Sequence, residues 1–192
     1  GPGETLGIIG HTGSGKSTVL ELIARLYDVQ KGQYLLDGIP AKQQHLDDLR
    51  GAIGYVPQDA FLFSESIADN IRFGAKDASK DAIENAAKTA YVHHNIEGFD
   101  KGYDTILGER GITLSGGQKQ RVSIARALIK NPKILLLDDC LSAVDTETEE
   151  AILSSLSKIK EQKTTVIVSH RVSTVKNASK ILVMDQGRII QQ

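Results

Sequence analysis

Gly10-His11-Thr12-Gly13-Ser14-Gly15-Lys16-Ser17 decides how the rest of this 192-residue chain is read. The octet fits G-x-x-x-x-G-K-[ST] at every fixed position, the pattern of a loop that cradles phosphate. Its glycines allow positive φ, so that successive N–H groups curl inward around an anion. Lys16 adds a mobile point charge for β- and γ-phosphates. The Ser17 hydroxyl suits Mg²⁺, a hard ion that takes oxygen ligands. The flanks agree with the octet. Leu6-Gly7-Ile8-Ile9 reads as a short buried strand. Val19, Leu20, Ile23, Leu26 and Tyr27 recur at helical spacing just after it, which predicts a helix whose positive end faces the same phosphates.

Working outward, Gln33-Tyr34-Leu35-Leu36 reads as a strand that turns at Asp37-Gly38. Ile53-Gly54-Tyr55-Val56 is another strand, stopped by Pro57. Residues 62–130 change to a helical pattern. Ala82, Ile83, Ala86, Ala87 and Ala90 keep helical spacing behind Ser79, an N-cap residue, and a second helix is expected from Gln118 to Ile129 after glycine-rich loops at 98–117. Strand and helix then alternate again. Ile134–Leu137 is a strand, and Thr146-x-x-Glu149 is a capping-box start for a helix with Ile152, Leu156 and Ile159 on one face. Thr165–Val168 is a strand, and Asp185-Gln186-Gly187 marks a hairpin. The expected organisation is one α/β nucleotide-binding domain over 1–192. Its core would comprise 1–61 and 131–192, with a helical insertion at 62–130.

Composition narrows the function. Lys and Arg number 23 against 24 Asp and Glu, for a net charge of −1. No basic stripe of the kind that nucleic-acid binding needs is present. No apolar run reaches the ~18 residues of a membrane helix. Cys140 is the only cysteine, so no internal disulfide forms, and a reducing setting is expected.

Two further strings carry chemistry. Ile134-Leu135-Leu136-Leu137-Asp138 is an apolar strand that ends in a carboxylate. Ligands of doubly wound sheets sit at the carboxyl ends of strands, where an acid holds Mg²⁺ directly or through water. Leu114-Ser115-Gly116-Gly117-Gln118 places a serine and two glycines at a helix N-terminus, a second arrangement suited to an anion. Read blandly, Ser115 is an N-cap and nothing more.

The order Gly10–Ser17, Gln58, Leu114–Gln118, Ile134–Asp139, Asp145 and His170 resembles the nucleotide-binding domain of ATP-binding-cassette (ABC) transporters. Val56-Pro57-Gln58-Asp59 with Phe61-Leu62-Phe63-Ser64 is similar to the glutamine loop of exporter-type members. Gly108-Glu109-Arg110-Gly111 is similar to their cross-talk loop. The resemblance implies a P-loop NTPase (RecA-like) α/β core with an inserted α-helical subdomain. The chain begins nine residues before the phosphate loop, so the N-terminal antiparallel β part and its adenine-stacking aromatic are expected to be largely missing, with weak nucleotide binding as the consequence.

The resemblance also implies roles. ATP and Mg²⁺ would be the ligands. Gly10, His11, Thr12, Gly13, Ser14, Gly15, Lys16, Ser17 and Thr18 would surround the phosphates. Ser17, Gln58 and, through water, Asp138 would hold the metal. Asp139 would act as general base, and His170 would contact the γ-phosphate. Ser115, Gly116, Gly117 and Gln118 would bind ATP held by a second nucleotide-binding domain, and Asp145 would cross that contact. Membrane helices, upstream in the same polypeptide, would be the other partner. The domain itself would be soluble at the cytoplasmic face of the membrane.

Asp139 departs from the family pattern, in which Glu stands at this position. Asp is shorter by one methylene, about 1.5 Å of reach, and a misplacement of ~1 Å costs on the order of a hundredfold in rate. Two readings follow. One is an ATPase that powers export, and the other is a low-turnover, ATP-gated half of a heterodimeric exporter. A DNA-repair or chromosome-organising ATPase of related design would need a coiled-coil insertion or a basic surface, and the sequence has neither. Of the remaining residues, the adjacent His93-His94 pair is not read as a metal site, since sequence neighbours do not share a helix face. Cys140 is assigned to packing. Tyr55, Phe61 and Phe63 are assigned to packing of the glutamine loop, and the charges of Lys158–Lys163 to a solvated helix end.

Overall fold

The structure, a computed structural model, describes residues 1–108, 114–158 and 163–192. Along the chain, β1 (Thr5–Gly10) leads into α1 (Lys16–Ile23), followed by β2 (Leu35–Leu36), β3 (Ile39–Pro40), α2 (Leu46–Gly51) and β4 (Ile53–Val56). Next come α3 (Ile67–Arg72), α4 (Lys80–Thr89), α5 (His93–Glu97) and α6 (Gly116–Leu128). These are followed by β5 (Ile134–Asp138), α7 (Thr146–Lys158), β6 (Thr164–Ser169), α8 (Val172–Val175), β7 (Lys180–Asp185) and β8 (Arg188–Gln191). Packing groups them into two units. One comprises Gly1–Tyr55, Pro132–Asp138 and Gln162–Gln192, and the other Val56–Asn131 and Asp139–Glu161. The sequence reading had put 139–161 with the α/β core. In the structure α7 packs against α4 and is grouped with the helices.

The first unit is built on a six-stranded sheet in the order β4-β5-β6-β1-β7-β8. β1 runs parallel to β6 and β7, and β5 parallel to β6, while β8 returns antiparallel to β7. Such a sheet, mixed α/β and parallel at its centre, is the phosphate-loop NTPase fold. β5 and β6 are buried almost throughout, whereas β8 is exposed along its whole length. That contrast accounts for the unbroken apolar runs of the inner strands, which are covered on both faces. The core of this unit gathers Ile8, Leu20, Leu49, Ile53, Leu136, Val166 and Val168.

Three expectations need correction here. α1 stops at Ile23, short of the apolar run, and Leu26 and Tyr27 are 49% and 62% exposed. Arg25 turns into the left-handed region at φ 52 just past the C-cap Ala24, and the Arg50 guanidinium donates to Arg25 O (2.9 Å). The second correction concerns Lys163, which is buried and donates to Pro132 O (2.9 Å) rather than being solvated. Burial lowers its pKa. The third concerns α7. Its N-cap is Asp145, whose carboxylate accepts from Thr148 N (2.9 Å), so the cap falls one residue before the predicted Thr146. Ile152 and Leu156 are buried on α7, and Ile159, predicted for the same face, lies outside the described residues.

In the second unit, α3 and α4 both pack on α6, which buries Val122, Ile124, Ala125 and Leu128. Ser79 caps α4 as the sequence predicts, accepting from Ala82 N at 3.2 Å. A side chain on Gly74 would run into the backbone carbonyl of Arg126, so α6 and the exit of α3 touch main chain to main chain. The fully buried Asn70 ties down the preceding loop. Its Oδ1 accepts from Phe63 N (2.8 Å), and its Nδ2 donates to the carbonyls of Phe63 and Ser66, both at 3.0 Å. Arg126 completes the knot, donating to Asn70 Oδ1 and O and to Phe61 O, each at 2.8 Å. Removing Asn70 would strand buried donors and acceptors, which cost about 1–3 kcal/mol each when unpaired. Asn70→Ala is therefore expected to lower unfolding free energy by on the order of 3 kcal/mol, as read by urea denaturation of the full chain. A loss below about 1 kcal/mol would refute this account of the loop.

Candidate functional site

The phosphate loop occupies the turn from β1 to α1. Gly13 and Gly15 take φ 82 and 96, the left-handed conformations that the glycine spacing anticipates, and a side chain on Gly13 would meet nothing within 4 Å. The Lys16 ammonium is buried and donates to Gly10 O and His11 O, both at 2.8 Å, so it ties the two arms of the loop together. Ser14 N also donates to His11 O (3.1 Å), and Gly187 N, from the β7–β8 turn, donates to Ser14 O (3.0 Å). The imidazole-bearing residue His11 is exposed. The first-turn N–H groups of α1, around Ser17 and Thr18, have no carbonyl within their own helix and face the loop.

Register brings the second half of the site to the same place. Asp138 pairs with Val168 across β5 and β6, and Val168 pairs with Ile8 across β6 and β1. The carboxyl ends of three strands are thus level. Asp138 Oδ1 accepts from Ser17 Oγ at 2.9 Å, and Tyr55 Oη donates to Asp138 Oδ2 at 3.3 Å. Burial, followed by the charges of Asp138 and Glu21, pushes the Tyr55 phenol well above its ordinary pKa, so it stands as a donor. Ser169 ends β6, and its hydroxyl accepts from Arg171 N (3.0 Å), a local turn that leaves His170 exposed. The unit therefore joins Lys16, Ser17, Asp138 and the strand end bearing His170. A hydroxyl beside a carboxylate is a donor set that fits Mg²⁺, and an open glycine loop around a buried ammonium fits phosphate.

The remaining predicted site residues belong to the second unit. Ser115 and Gln118 form a reciprocal capping box at the start of α6. Ser115 Oγ accepts from Gln118 N (3.2 Å), and Gln118 Oε1 accepts from Ser115 N (2.9 Å). Ser115 is exposed. Gly116 is likewise exposed, and Gly117 lies against the Ala143 carbonyl. Gln58 is exposed, and its carbonyl accepts from Gln120 Nε2 (3.5 Å), whose Oε1 accepts from Ala143 N (3.2 Å). Gln120 was not singled out in the sequence, because a buried polar residue on a helix gives no local sign of its partners. Asp139 is buried in a tight turn at φ 44, where its carbonyl accepts from Ser142 Oγ (2.9 Å). The Asp145 carboxyl is held below its usual range by the Thr148 N–H and hydroxyl, with a contribution from Arg121. Glu109, Arg110 and Gly111 of the predicted cross-talk loop lie outside the described residues. His93 accepts no role at the site. Its ring meets Tyr103 Oη (2.8 Å) and Glu97 (3.3 Å).

A phosphate loop between a parallel strand and its helix, with a carboxylate at the end of a nearby strand, defines a nucleotide-binding domain. Residues 1–142 match the ABC transporter family, and the chain belongs to it as an ATP-binding domain of the kind found in ABC exporters. It is 49% identical over 191 residues to the human ATP-binding cassette sub-family B member 6, covering 100% of this chain and 23% of that protein. It is 48% identical over 191 residues to the ATP-dependent lipid A-core flippase of Hahella chejuensis, covering 99% of this chain and 33% of the flippase. A solved bacterial Atm1-family ABC exporter with ATP bound superposes with a TM-score of 0.95 at 46% identity, over 98% of this chain and 33% of that one. The chain thus spans about a quarter to a third of the length of these relatives.

Because Lys16 both closes the loop and supplies its charge, Lys16→Ala should weaken binding of a fluorescent ATP analogue by roughly tenfold or more, the scale of a lost charge-assisted hydrogen bond. Fluorescence titration checks this, and unchanged affinity would place the triphosphate elsewhere.

Proposed function

We propose that this domain binds and hydrolyses ATP to power export across a membrane, acting with a second nucleotide-binding domain in a head-to-tail pair. The observation that carries the proposal is the joining of Lys16, Ser17 and Asp138 at the carboxyl ends of the central strands. The exporter relatives support the direction of transport. Lys16 and the loop amides would hold the β- and γ-phosphates in place, and Ser17 and Asp138 would hold Mg²⁺. The metal, when bound, neutralises charge that develops on the transferring phosphoryl group. Asp139 would take a proton from the attacking water, while His170 and Gln58 would orient the water and the γ-phosphate.

Ser115 belongs to the other half of the cycle. The hydroxyl of this exposed residue and the N-terminal amides of α6 would form a donor set suited to a γ-phosphate. On this reading they close over ATP bound by the partner domain, and the closure excludes water and supplies charge stabilisation. A membrane-spanning partner would use the closing and reopening, with the domain at the cytoplasmic face. Among the described residues no helix is long and apolar enough to cross a membrane.

One observation favours a slower variant of the same reading. Asp139 sits at φ 44 in a buried turn, a conformation that Asp tolerates better than longer residues do, and its carboxylate is the shorter of the two that serve as base. The site formed on this chain's loop would then turn over slowly, as one half of an unequal pair.

Steady-state ATPase of the assembled transporter tests both parts. Ser115→Arg is expected to reduce turnover at least tenfold by placing bulk and charge where the second phosphate contact forms, and an unchanged rate would refute the head-to-tail arrangement. Asp139→Glu is expected to raise turnover by roughly ten- to a hundredfold if reach limits the base. No rise would show that the short carboxylate is not limiting.

A further inference from the structure

We propose that Tyr55 is a positioning residue for the metal site, its phenolic O–H holding Oδ2 of Asp138 so that the plane of the carboxylate is fixed. The inference rests on the Mg²⁺-ATP reading above and adds to it a residue that the phosphate-loop and carboxylate motifs do not contain.

The geometry makes the case. The terminal torsion of an Asp side chain is broad, so a carboxylate anchored through one oxygen still swings. Asp138 is anchored through both. Ser17 Oγ donates to Oδ1 at 2.9 Å, and Tyr55 Oη donates to Oδ2 at 3.3 Å. The two donors come from different elements, α1 and β4. Asp138 itself is only 4% exposed, so little water competes for either oxygen. Tyr55 is half-buried on a strand, which limits the ring to few orientations. A hydrogen bond to a charged acceptor is stronger than a neutral one. Partners that orient a metal-holding carboxylate typically contribute ten- to a hundredfold to metal affinity or activity. Phenylalanine at this position would retain the packing and lose only the donor.

The test is Tyr55→Phe in the full chain. A fluorescent ATP analogue is titrated in EDTA and at graded Mg²⁺, and Mn²⁺ binding in the presence of ADP is followed by electron paramagnetic resonance. The expected result is a rise of roughly tenfold in the Mg²⁺ concentration at half-effect, and a matching loss of Mn²⁺ affinity. Nucleotide affinity in EDTA and the thermal midpoint of the free chain should stay unchanged. An unchanged metal midpoint overturns the proposal. So does an equal loss of nucleotide affinity with and without metal, which would mark Tyr55 as a packing residue alone. If the unsubstituted chain itself binds the analogue no better with Mg²⁺ than in EDTA, the metal-nucleotide reading falls and takes this inference with it, an outcome distinct from a failure of the Tyr55 contact.

Discussion

The hydrogen bond from Ser17 Oγ to Asp138 Oδ1 closes a separation of 121 residues with a 2.9 Å contact. The rest of the nucleotide site depends on the register that makes this bond possible. β6 lies between β1 and β5, and its pairing with both sets the two strand ends level. A slip of one residue in either ladder would carry Asp138 to the opposite face of the sheet. The aliphatic runs of β5 and β6 are buried on both faces, so a slip would also exchange closely packed side chains of different size along both strands. The chemistry at the carboxyl ends of the strands therefore depends on hydrophobic packing several residues away from it.

What the sequence made legible follows from the range of the interactions involved. The phosphate loop and the Ser79 and Ser115 caps obey rules that span a few residues and stand where those rules put them, whereas the Gln118 half of the capping box was not read and the helix begins at Gly116 rather than Gln118. Asp138 was legible because an apolar strand that ends in an acid is itself a local pattern. Tyr55 was read as packing, since its partner carboxylate lies 83 residues away and nothing near Tyr55 announces it. α1 was read too long for a related reason. Leu26 and Tyr27 keep helical spacing, but the backbone turns left-handed at Arg25, where Leu26 N donates back to Glu21 O and closes the helix, and Arg50, from α2, donates to the Arg25 carbonyl. At α7, two adjacent residues, Asp145 and Thr146, are both good caps, and only the observed bond to Thr148 distinguishes them.

The helical unit shows how a charged residue organises a loop with no acidic partner among the described residues. The Arg126 guanidinium lies over the rings of Phe63 and Phe73, 5.5 and 5.9 Å from their centroids, and spends its donors on carbonyl oxygens. Burial brings its pKa down to about 10, which leaves it charged under any ordinary condition. Gln120 performs a similar task with an amide, joining the backbone at Gln58 to that at Ala143. Two of the predicted functional segments are thus linked through one side chain of the helix that Ser115 begins.

Gly74 has a lasting consequence for the lineage of such chains. With the Arg126 carbonyl standing where a β-carbon would go, the codon for this residue has nowhere to drift. Even alanine would have to lever two helices apart. Any descendant that loses this glycine must first have changed how those helices meet, so its presence or absence in a relative dates a structural rearrangement rather than a substitution.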